Sequence, residues 1–212
     1  MMDFRTPVEM DGRYIRLIPL SRDQLPALVR AGQDPEIWQW MPYGYCGQEE
    51  AMSRFFDFLE SRQAAGTDLA FTTVLRPDDR PIGMTRYLNI DRPNSNVEVG
   101  GTWIESTLWR TPVNTESKLL MLGHAFDSEG CQRVQIKTDN RNVRSQRAIE
   151  RLGAQREGIL RQHMIRSDGT FRDSVVYSVV RSEWPEVRQR LEVALKRPWA
   201  RPGRDVIGAA RI

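Results

Sequence analysis

The sequence predicts a mixed α/β (α+β) domain with a largely antiparallel sheet of about seven strands, flanked by helices. Strand-like segments at 69–75, 82–90 and 96–104 follow one another across short turns, which is the pattern of an antiparallel meander. Downstream, the spacing of apolar residues becomes helical and then strand-like again. The Asp-Gly dipeptide at 168–169 indicates a closing hairpin. A meander followed by a strand–helix–strand unit and a hairpin is typical of this fold class.

The segment before residue 65 is predicted to contribute one strand, two helices and an aromatic loop. The strand lies at 14–20, and Ser21 behind it can cap the first helix. The second helix lies at 48–63, where apolar residues recur at helical spacing. The connecting loop at 34–47 is rich in proline, glycine and aromatic residues, so we expect irregular backbone there.

Two later helices have recognisable ends. One of them begins in the loop at 110–115, where Thr111 and Asn114 are alternative N-caps. The next begins at Asn142, a favourable N-cap, and ends at Gly153, where a left-handed residue commonly terminates a helix. We therefore expect two well-defined helices on either side of a short strand.

The length of 212 residues fits one domain, which we assign to 1–196, followed by a basic tail at 197–212. The formal net charge of +3 is small for a nucleic-acid-binding protein, so nucleic acid is not the expected partner. The chain has no apolar stretch near the roughly 20 residues of a membrane span, so we expect no membrane association.

The cysteines and histidines do not form a recognisable metal or disulfide pattern. Cys46 and Cys131 lie far apart, which suits a reducing cytoplasm, and we expect a cytoplasmic location. His124 and His163 are also far apart and have no evident partners for a zinc site or a histidine-centred triad. We therefore expect no metal.

The loop at 110–115 is a candidate anion site. It enters a helix whose N-terminus offers unpaired backbone N–H groups and the positive end of the helix dipole, which suits a diphosphate. The candidate contacts are Arg110, Thr111, Val113, Asn114 and Thr115, and Arg110 adds a fixed positive charge. Taken alone, the loop fits an ordinary capped helix better than a binding site.

Three motifs in order carry a resemblance to a known family. They are EVGGTWI at 98–104, WRTPVNTESKLL at 109–120, and NRNVRS at 140–145 with Leu-Gly following at 152–153. Together they resemble the GNAT superfamily of N-acetyltransferases, and within it the ribosomal-protein N-terminal acetyltransferase (RimJ/RimL-like) branch. The resemblance covers roughly 14–184, and it is the joint spacing that makes it specific.

The resemblance implies the place of acetyl-CoA (CoA), the expected cosubstrate. The sheet would be splayed beside 97–104, with the pantetheine arm lying in the opening. Backbone groups of Trp103 and Ile104 would pair with that arm, and the diphosphate would lie on the 110–115 turn. The RimJ/RimL-like branch also implies a homodimer.

Other positions follow or depart from the family pattern. Asn142 and Ser145 match its Asn-x-x-Ser, whose side chains face the cosubstrate, although a first-turn polar residue explains Ser145 equally well. Pro112 and Asn114 replace glycines of the usual phosphate loop. Ile149 replaces a tyrosine that protonates the departing thiolate in many relatives, so the general acid is left open between Ser145, water and the substrate.

Acetyl transfer to an amine requires an unprotonated amine held in line with a polarised thioester. Glu98 is the candidate base because its strand borders the acceptor site in such folds, and a surface glutamate is an equally good interpretation. Trp38, Trp40 and Tyr43 are candidate substrate contacts in the loop that covers that site. A hydrophobic mini-core between two helices fits these three somewhat better.

The predicted function is acetyl transfer from acetyl-CoA to a primary amine by direct attack, without metal. The resemblance favours a protein or peptide N-terminus as acceptor and leaves small amines open. One alternative is a CoA-binding module without catalysis, in keeping with the altered phosphate loop and missing tyrosine. The other is a ribosome- or RNA-associated binding protein that uses the arginines of 197–212.

Overall fold

The computed structural model describes residues 2–76, 78–197 and 199, and the described chain forms eight strands and five α-helices. The strands are β1 (Met10–Asp11), β2 (Ile15–Pro19), β3 (Leu69–Leu75), β4 (Arg80–Asp91), β5 (Asn96–Ile104), β6 (Arg133–Asp139), β7 (Gln155–Ile165) and β8 (Phe171–Val180). The helices are α1 (Leu25–Ala31), α2 (Glu49–Ala64), α3 (Pro112–Gly123), α4 (Val143–Leu152) and α5 (Trp184–Leu195). The short β1 is the strand that sequence periodicity missed.

All eight strands form one sheet in the order β1-β2-β3-β4-β5-β6-β8-β7. Neighbouring strands run antiparallel except β5 and β6, which are parallel and are joined through α3. The predicted mixed α/β class and the largely antiparallel sheet are therefore confirmed, with eight strands instead of about seven.

The sheet opens between β5 and β6. Only Asn96, Val97 and Glu98 of β5 pair with β6, whereas β5 continues along β4 as far as Ile104. The second half of β5 therefore lies beside a gap, as expected for a splayed sheet.

The hydrophobic core has two parts. The larger one joins the sheet to α3, α4 and α5, and its aromatic members include Phe126 stacked on Trp184 at 5.5 Å between ring centroids. The smaller one joins α1 and α2 to the sheet and contains Trp38, Phe56 and Trp103. Burial of these apolar faces fixes how the helices lie on the sheet.

The predicted ends of α4 are confirmed. Asn142 caps the helix by accepting the Ser145 N–H on Oδ1 at 3.0 Å, and Gly153 ends it with φ of 100°. At α3, Thr111 is the N-cap, so Asn114 lies inside the first turn. After Gly123 the helix continues as one π-turn over His124–Ser128.

The predicted tail lies mostly outside the described residues. Trp199 packs edge-on against Tyr14 with 5.6 Å between ring centroids, so the chain just after α5 returns to the domain. Among the described helices, none has the length and apolar character needed to cross a membrane.

Candidate active site

A cleft of about 630 Å³ opens where β5 and β6 separate, a volume typical of small-molecule sites. Eleven of the predicted site residues line it, namely Trp40, Tyr43, Glu98, Trp103, Ile104, Arg110, Thr111, Asn114, Thr115, Asn142 and Ser145. The structure therefore brings together the motifs that are separate in the sequence.

Two predicted site residues lie behind the cleft wall. Trp38 is buried between α1 and α2, where its ring lies 4.9 Å from that of Trp103 and its Nε1 donates to the Gly32 carbonyl. It belongs to the mini-core that was the alternative interpretation. The Val113 side chain is buried in the main core, and its N–H donates to Thr111 Oγ1 at 3.4 Å.

The cleft has two chemically different ends. The α3 end is lined by Arg110, Thr111, Asn114, Thr115 and Arg144. The strand end is lined by Tyr43, Arg86, Glu98, Lys118, Lys137 and Arg172. The sequence predicted no role for five of these residues, namely Arg86, Lys118, Lys137, Arg144 and Arg172.

The α3 end has the turn geometry of a glycine loop without its glycines. Arg110 adopts φ of 62°, in the left-handed region that favours glycine. Pro112 at the first helical position has no N–H, and the Val113 N–H is used by the Thr111 cap. Of the first-turn N–H groups, that of Asn114 remains for an anion, together with the N–H of the N-cap Thr111 itself.

Arg144 adds a second guanidinium to the α3 end. It lies over the Trp109 ring, with its central carbon 3.6 Å from the ring centroid, and Trp109 is anchored by donating Nε1 to the Ile104 carbonyl at 3.1 Å. Partial burial and the nearby charge of Arg110 lower the pKa of Arg144, whereas Glu36 opposes that shift. Two cations beside a helix N-terminus strongly favour an anion.

Glu98 is buried and held on one side. Its Oε2 receives contacts from Lys137 Nζ at 2.9 Å, Asn89 Nδ2 at 3.0 Å and Gln135 Nε2 at 3.2 Å. Its Oε1 lies on the Gly100 side, 3.5 Å from where a β-carbon on that glycine would stand. The donors orient the carboxylate and leave Oε1 for a group in the cleft.

Lys118 is a buried lysine in the wall of the cleft. Its Nζ donates to Thr102 Oγ1 at 2.6 Å, and Thr102 in turn lies 2.8 Å from Thr85 Oγ1. Burial lowers the pKa of Lys118 to about 7, so it exchanges protons near neutral pH. A sequence signal existed, because Lys118 shares a helix face with the buried Met121 and Leu122.

Ile149 lies on the helix behind the cleft, at the position where the family resemblance places a tyrosine. Ile149 is buried in the core and its side chain reaches the cleft lining without a titratable group. Ser145 lies one turn earlier and lines the cleft with a hydroxyl. Tyr43 brings a phenol to the cleft from the loop before α2.

Sheet, split and helix positions together are those of the GNAT fold, which defines the class of the protein. The profile of the Acetyltransferase (GNAT) domain family matches residues 15–155, more than half of the chain. The chain therefore belongs to this family and is an acetyltransferase.

Known proteins agree with this assignment. A protein from T. thermophilus assigned as an acetyltransferase is 38% identical, with 90% of this chain and 98% of that chain covered and a TM-score of 0.81. The uncharacterised N-acetyltransferase p20 of Bacillus licheniformis is 23% identical over 181 residues, which cover 82% of this chain and 99% of p20.

RimJ of Mycobacterium smegmatis, solved in complex with CoA-disulfide, is 19% identical and superposes with a TM-score of 0.77. The match covers 90% of this chain and 96% of RimJ, which shows a shared fold. The resemblance to the RimJ/RimL-like branch is thus confirmed at the level of the fold. In the described part of the chain, no group of three or more His, Cys, Asp and Glu side chains could hold a metal ion.

Proposed function

We propose that the protein transfers an acetyl group from acetyl-CoA to a primary amine by direct attack. The observation that carries this proposal is the cleft itself, which joins a cationic helix N-terminus to a buried carboxylate across the gap in the sheet. One end suits a diphosphate and the other suits an amine. The proposal rests on family membership together with this arrangement.

The residues of the α3 end fit the diphosphate of acetyl-CoA. Arg110 and Arg144 supply positive charge, and the α3 N-terminus supplies backbone N–H groups and a favourable dipole. Backbone groups of Trp103 and Ile104 along the gap would hold the pantetheine, with Asn142 facing it. When bound, acetyl-CoA supplies the acetyl group as a reactive thioester.

Glu98 is our candidate for the base that takes the proton from the acceptor amine. Lys137 fixes the carboxylate through Oε2, so Oε1 can accept a proton directly or through a water. A positioned base of this kind typically contributes about 10²–10⁴-fold to the rate.

The departing thiolate needs a proton, and Ile149 cannot supply it. Ser145 is the candidate predicted from the family motif. Lys118 is a second candidate, because its pKa of about 7 leaves part of it protonated at neutral pH. After Glu98 releases the acceptor's proton to solvent, either donor would take up a proton from solvent in its place, so the proton count balances.

The acceptor is proposed to be a protein or peptide N-terminus or a small amine. Trp40 and Tyr43 line the cleft from the loop before α2 and are the candidate substrate contacts. The resemblance to the ribosomal-protein N-terminal acetyltransferase branch is what favours the N-terminus of a protein or peptide. We further propose that residues 1–196 form the catalytic domain and that the protein is a cytoplasmic homodimer. Light scattering of the purified chain would test the dimer.

The test is thiol release from acetyl-CoA against a panel of amines. For Glu98→Gln we expect kcat to fall roughly 100-fold while the Kd of acetyl-CoA stays within a factor of two or so. Glu186→Gln on the exposed face of α5 is the matched control and should leave both values unchanged. An unchanged kcat for Glu98→Gln at all pH values would remove Glu98 as the base.

Thiol release with none of the amines, despite acetyl-CoA binding, would favour the alternative of a CoA-binding module. The family assignment favours an enzyme over that alternative. The other alternative, RNA binding through the tail, involves residues that lie largely outside the described part of the chain.

A further inference from the structure

Two buried arginines line the strand end of the cleft from different strands. Arg86 on β4 is 6% exposed, and Arg172 on β8 is 7% exposed. Tyr43 lines the same end from the loop before α2.

Each arginine shares its carboxylate with another arginine. Asp68 is bound on Oδ1 by Arg62 Nη2 at 3.1 Å and lies 3.1 Å from Arg86 Nη1 through Oδ2. One negative charge therefore serves two positive charges, and the trio keeps a net positive charge.

The same holds at the other arginine. Asp139 is held by Arg166 through a two-point contact, Nε to Oδ2 at 2.8 Å and Nη2 to Oδ1 at 3.1 Å. It also accepts the Arg141 N–H at 2.9 Å. Arg172 reaches Asp139 only at 4.0 Å, so its charge is left largely unpaired.

Both arginines have buried N–H groups without a hydrogen-bond partner among the described residues. These are Nε of Arg86, its poorly aligned Nη1, and Nε of Arg172. Buried guanidinium donors are costly unless a partner satisfies them. These three nitrogens are enclosed by protein, so a ligand in the cleft would bind each guanidinium through its other N–H groups, since both side chains line the cleft.

The backbone makes room for Arg86. Gly101 has φ of 57°, and a β-carbon there would stand 2.7 Å from Arg86 Nε and 3.2 Å from the Tyr43 hydroxyl. The pairing of β4 with β5 is irregular at this point, between Met84 and Arg86. The bulge in β5 thus brings Arg86 and Tyr43 against the strand that borders the gap.

The geometry points to a carboxylate-binding subsite formed by Arg86 and Arg172 beside the Tyr43 hydroxyl. The acceptor then carries a carboxylate close to its reacting amine, because Glu98 lines the same end of the cleft. Glu98 attracts Arg172, but Lys137 pairs with the Glu98 carboxylate, so this end of the cleft keeps a net positive charge. This inference rests on the proposed function and names its substrate class.

The same chemistry can come from a free α-amino acid or from a peptide with an acidic side chain at its N-terminus. The experiment uses matched pairs that differ in that charge, with kcat/KM referred to the unprotonated amine, because an amino-acid amide has a lower amine pKa than the free amino acid. One arm compares amino acids with their amides, and the other compares peptides that begin with glutamate and glutamine. The readout is kcat/KM for thiol release from acetyl-CoA.

We expect at least one arm to favour the carboxylate by about tenfold or more, and the arm that does so identifies the source. Arg172→Gln should abolish the preference, and Arg172→Lys should restore part of it by returning the charge. Arg86→Lys tests the second arginine with its charge kept. Arg156→Gln, on the same hairpin as Arg172 but exposed and outside the lining, should leave the preference unchanged.

A second measurement separates this inference from the proposed function. Calorimetry on the CoA-loaded protein compares an N-acetylamino acid with its amide, and binding should favour the acid only when Arg172 is intact. Equal kcat/KM for acid and amide in both arms, with turnover present, would overturn the subsite and leave the acetyltransferase proposal standing. If no amine is turned over but the acid still binds better than the amide, the acetyltransferase proposal fails and the carboxylate subsite stands.

Discussion

The two ends of the cleft are built in different ways, although they face the same cosubstrate-sized opening. The α3 end comes from two helix starts close to one another, and its arginines, Arg110 and Arg144, are far more exposed than Arg86 and Arg172. The strand end gathers buried charged groups from β4, β5, β6, β8 and α3. Exposed charges attract an anion at little cost, whereas buried ones demand defined partners. The α3 end therefore suits a common cosubstrate and the strand end a specific acceptor.

A change at the β5 bulge is expected to separate the two ends most, because it should lower kcat/KM for the acceptor without changing the Kd of acetyl-CoA. Gly101→Ala forces a side chain into a left-handed residue and against Arg86, so we expect kcat/KM for the acceptor to fall roughly 100-fold, in keeping with the cost of small misplacements. The Kd of acetyl-CoA should change little, because the α3 end is elsewhere.

The control for Gly101→Ala is Gly130→Ala. Gly130 also has a positive φ, of 71°, but a β-carbon there meets no atom within 4 Å. Each variant should lose about 1–2 kcal/mol of stability from the strained backbone. Equal losses of acceptor kcat/KM in both would show that strain, and not the Arg86 position, is responsible.

Buried charge at the strand end should make stability depend on pH. Because the folded pKa of Lys118, about 7, lies below that of the unfolded chain, the unfolded state binds more protons between about pH 7 and 10. The free energy of unfolding should therefore rise with pH across that window. Lys118→Met should flatten the rise and stabilise the protein at pH 7 by a few kcal/mol, because one unit of pKa shift corresponds to about 1.4 kcal/mol.

Urea unfolding at pH 7 and pH 10 measures this difference. Lys196→Met, at the exposed end of α5, is the control and should keep the wild-type slope. A wild-type free energy of unfolding that falls between pH 7 and 10, or a Lys118→Met variant with the same slope, would contradict a neutralised lysine at this site.

The smallest effect is expected at the α3 end. Arg144→Gln removes one exposed cation beside the α3 N-terminus, so the KM for acetyl-CoA should rise about tenfold at low salt with kcat nearly unchanged. Added salt should shrink the difference. Arg147→Gln, on α4 but outside the lining, should have no effect. A lower kcat for Arg144→Gln would instead place this arginine near the reacting atoms.

Most of the fold was predictable because local sequence signals and tertiary packing agree. The bounds of β3 and β5 were predicted to the residue, and the caps of α4 follow from Asn142 and Gly153. The two-residue β1 was missed, since so short a strand has no periodicity. Trp38 and Trp40 are equivalent in the sequence, yet only Trp40 lines the cleft, because packing between α1 and α2 turns Trp38 inward.

The sequence by itself determined the family and the backbone of the α3 end, because the motif at 109–120 and the Asn-x-x-Ser at 142–145 mark two helix starts, although the role of Arg144 was missed. Only the tertiary structure decided the strand end. Arg86, Lys118 and Arg172 lie up to 86 positions apart by their numbering, and nothing local marks them as neighbours. Burial, which depends on the assembled sheet, shifts the pKa of Lys118 and leaves the two arginines in need of an anion.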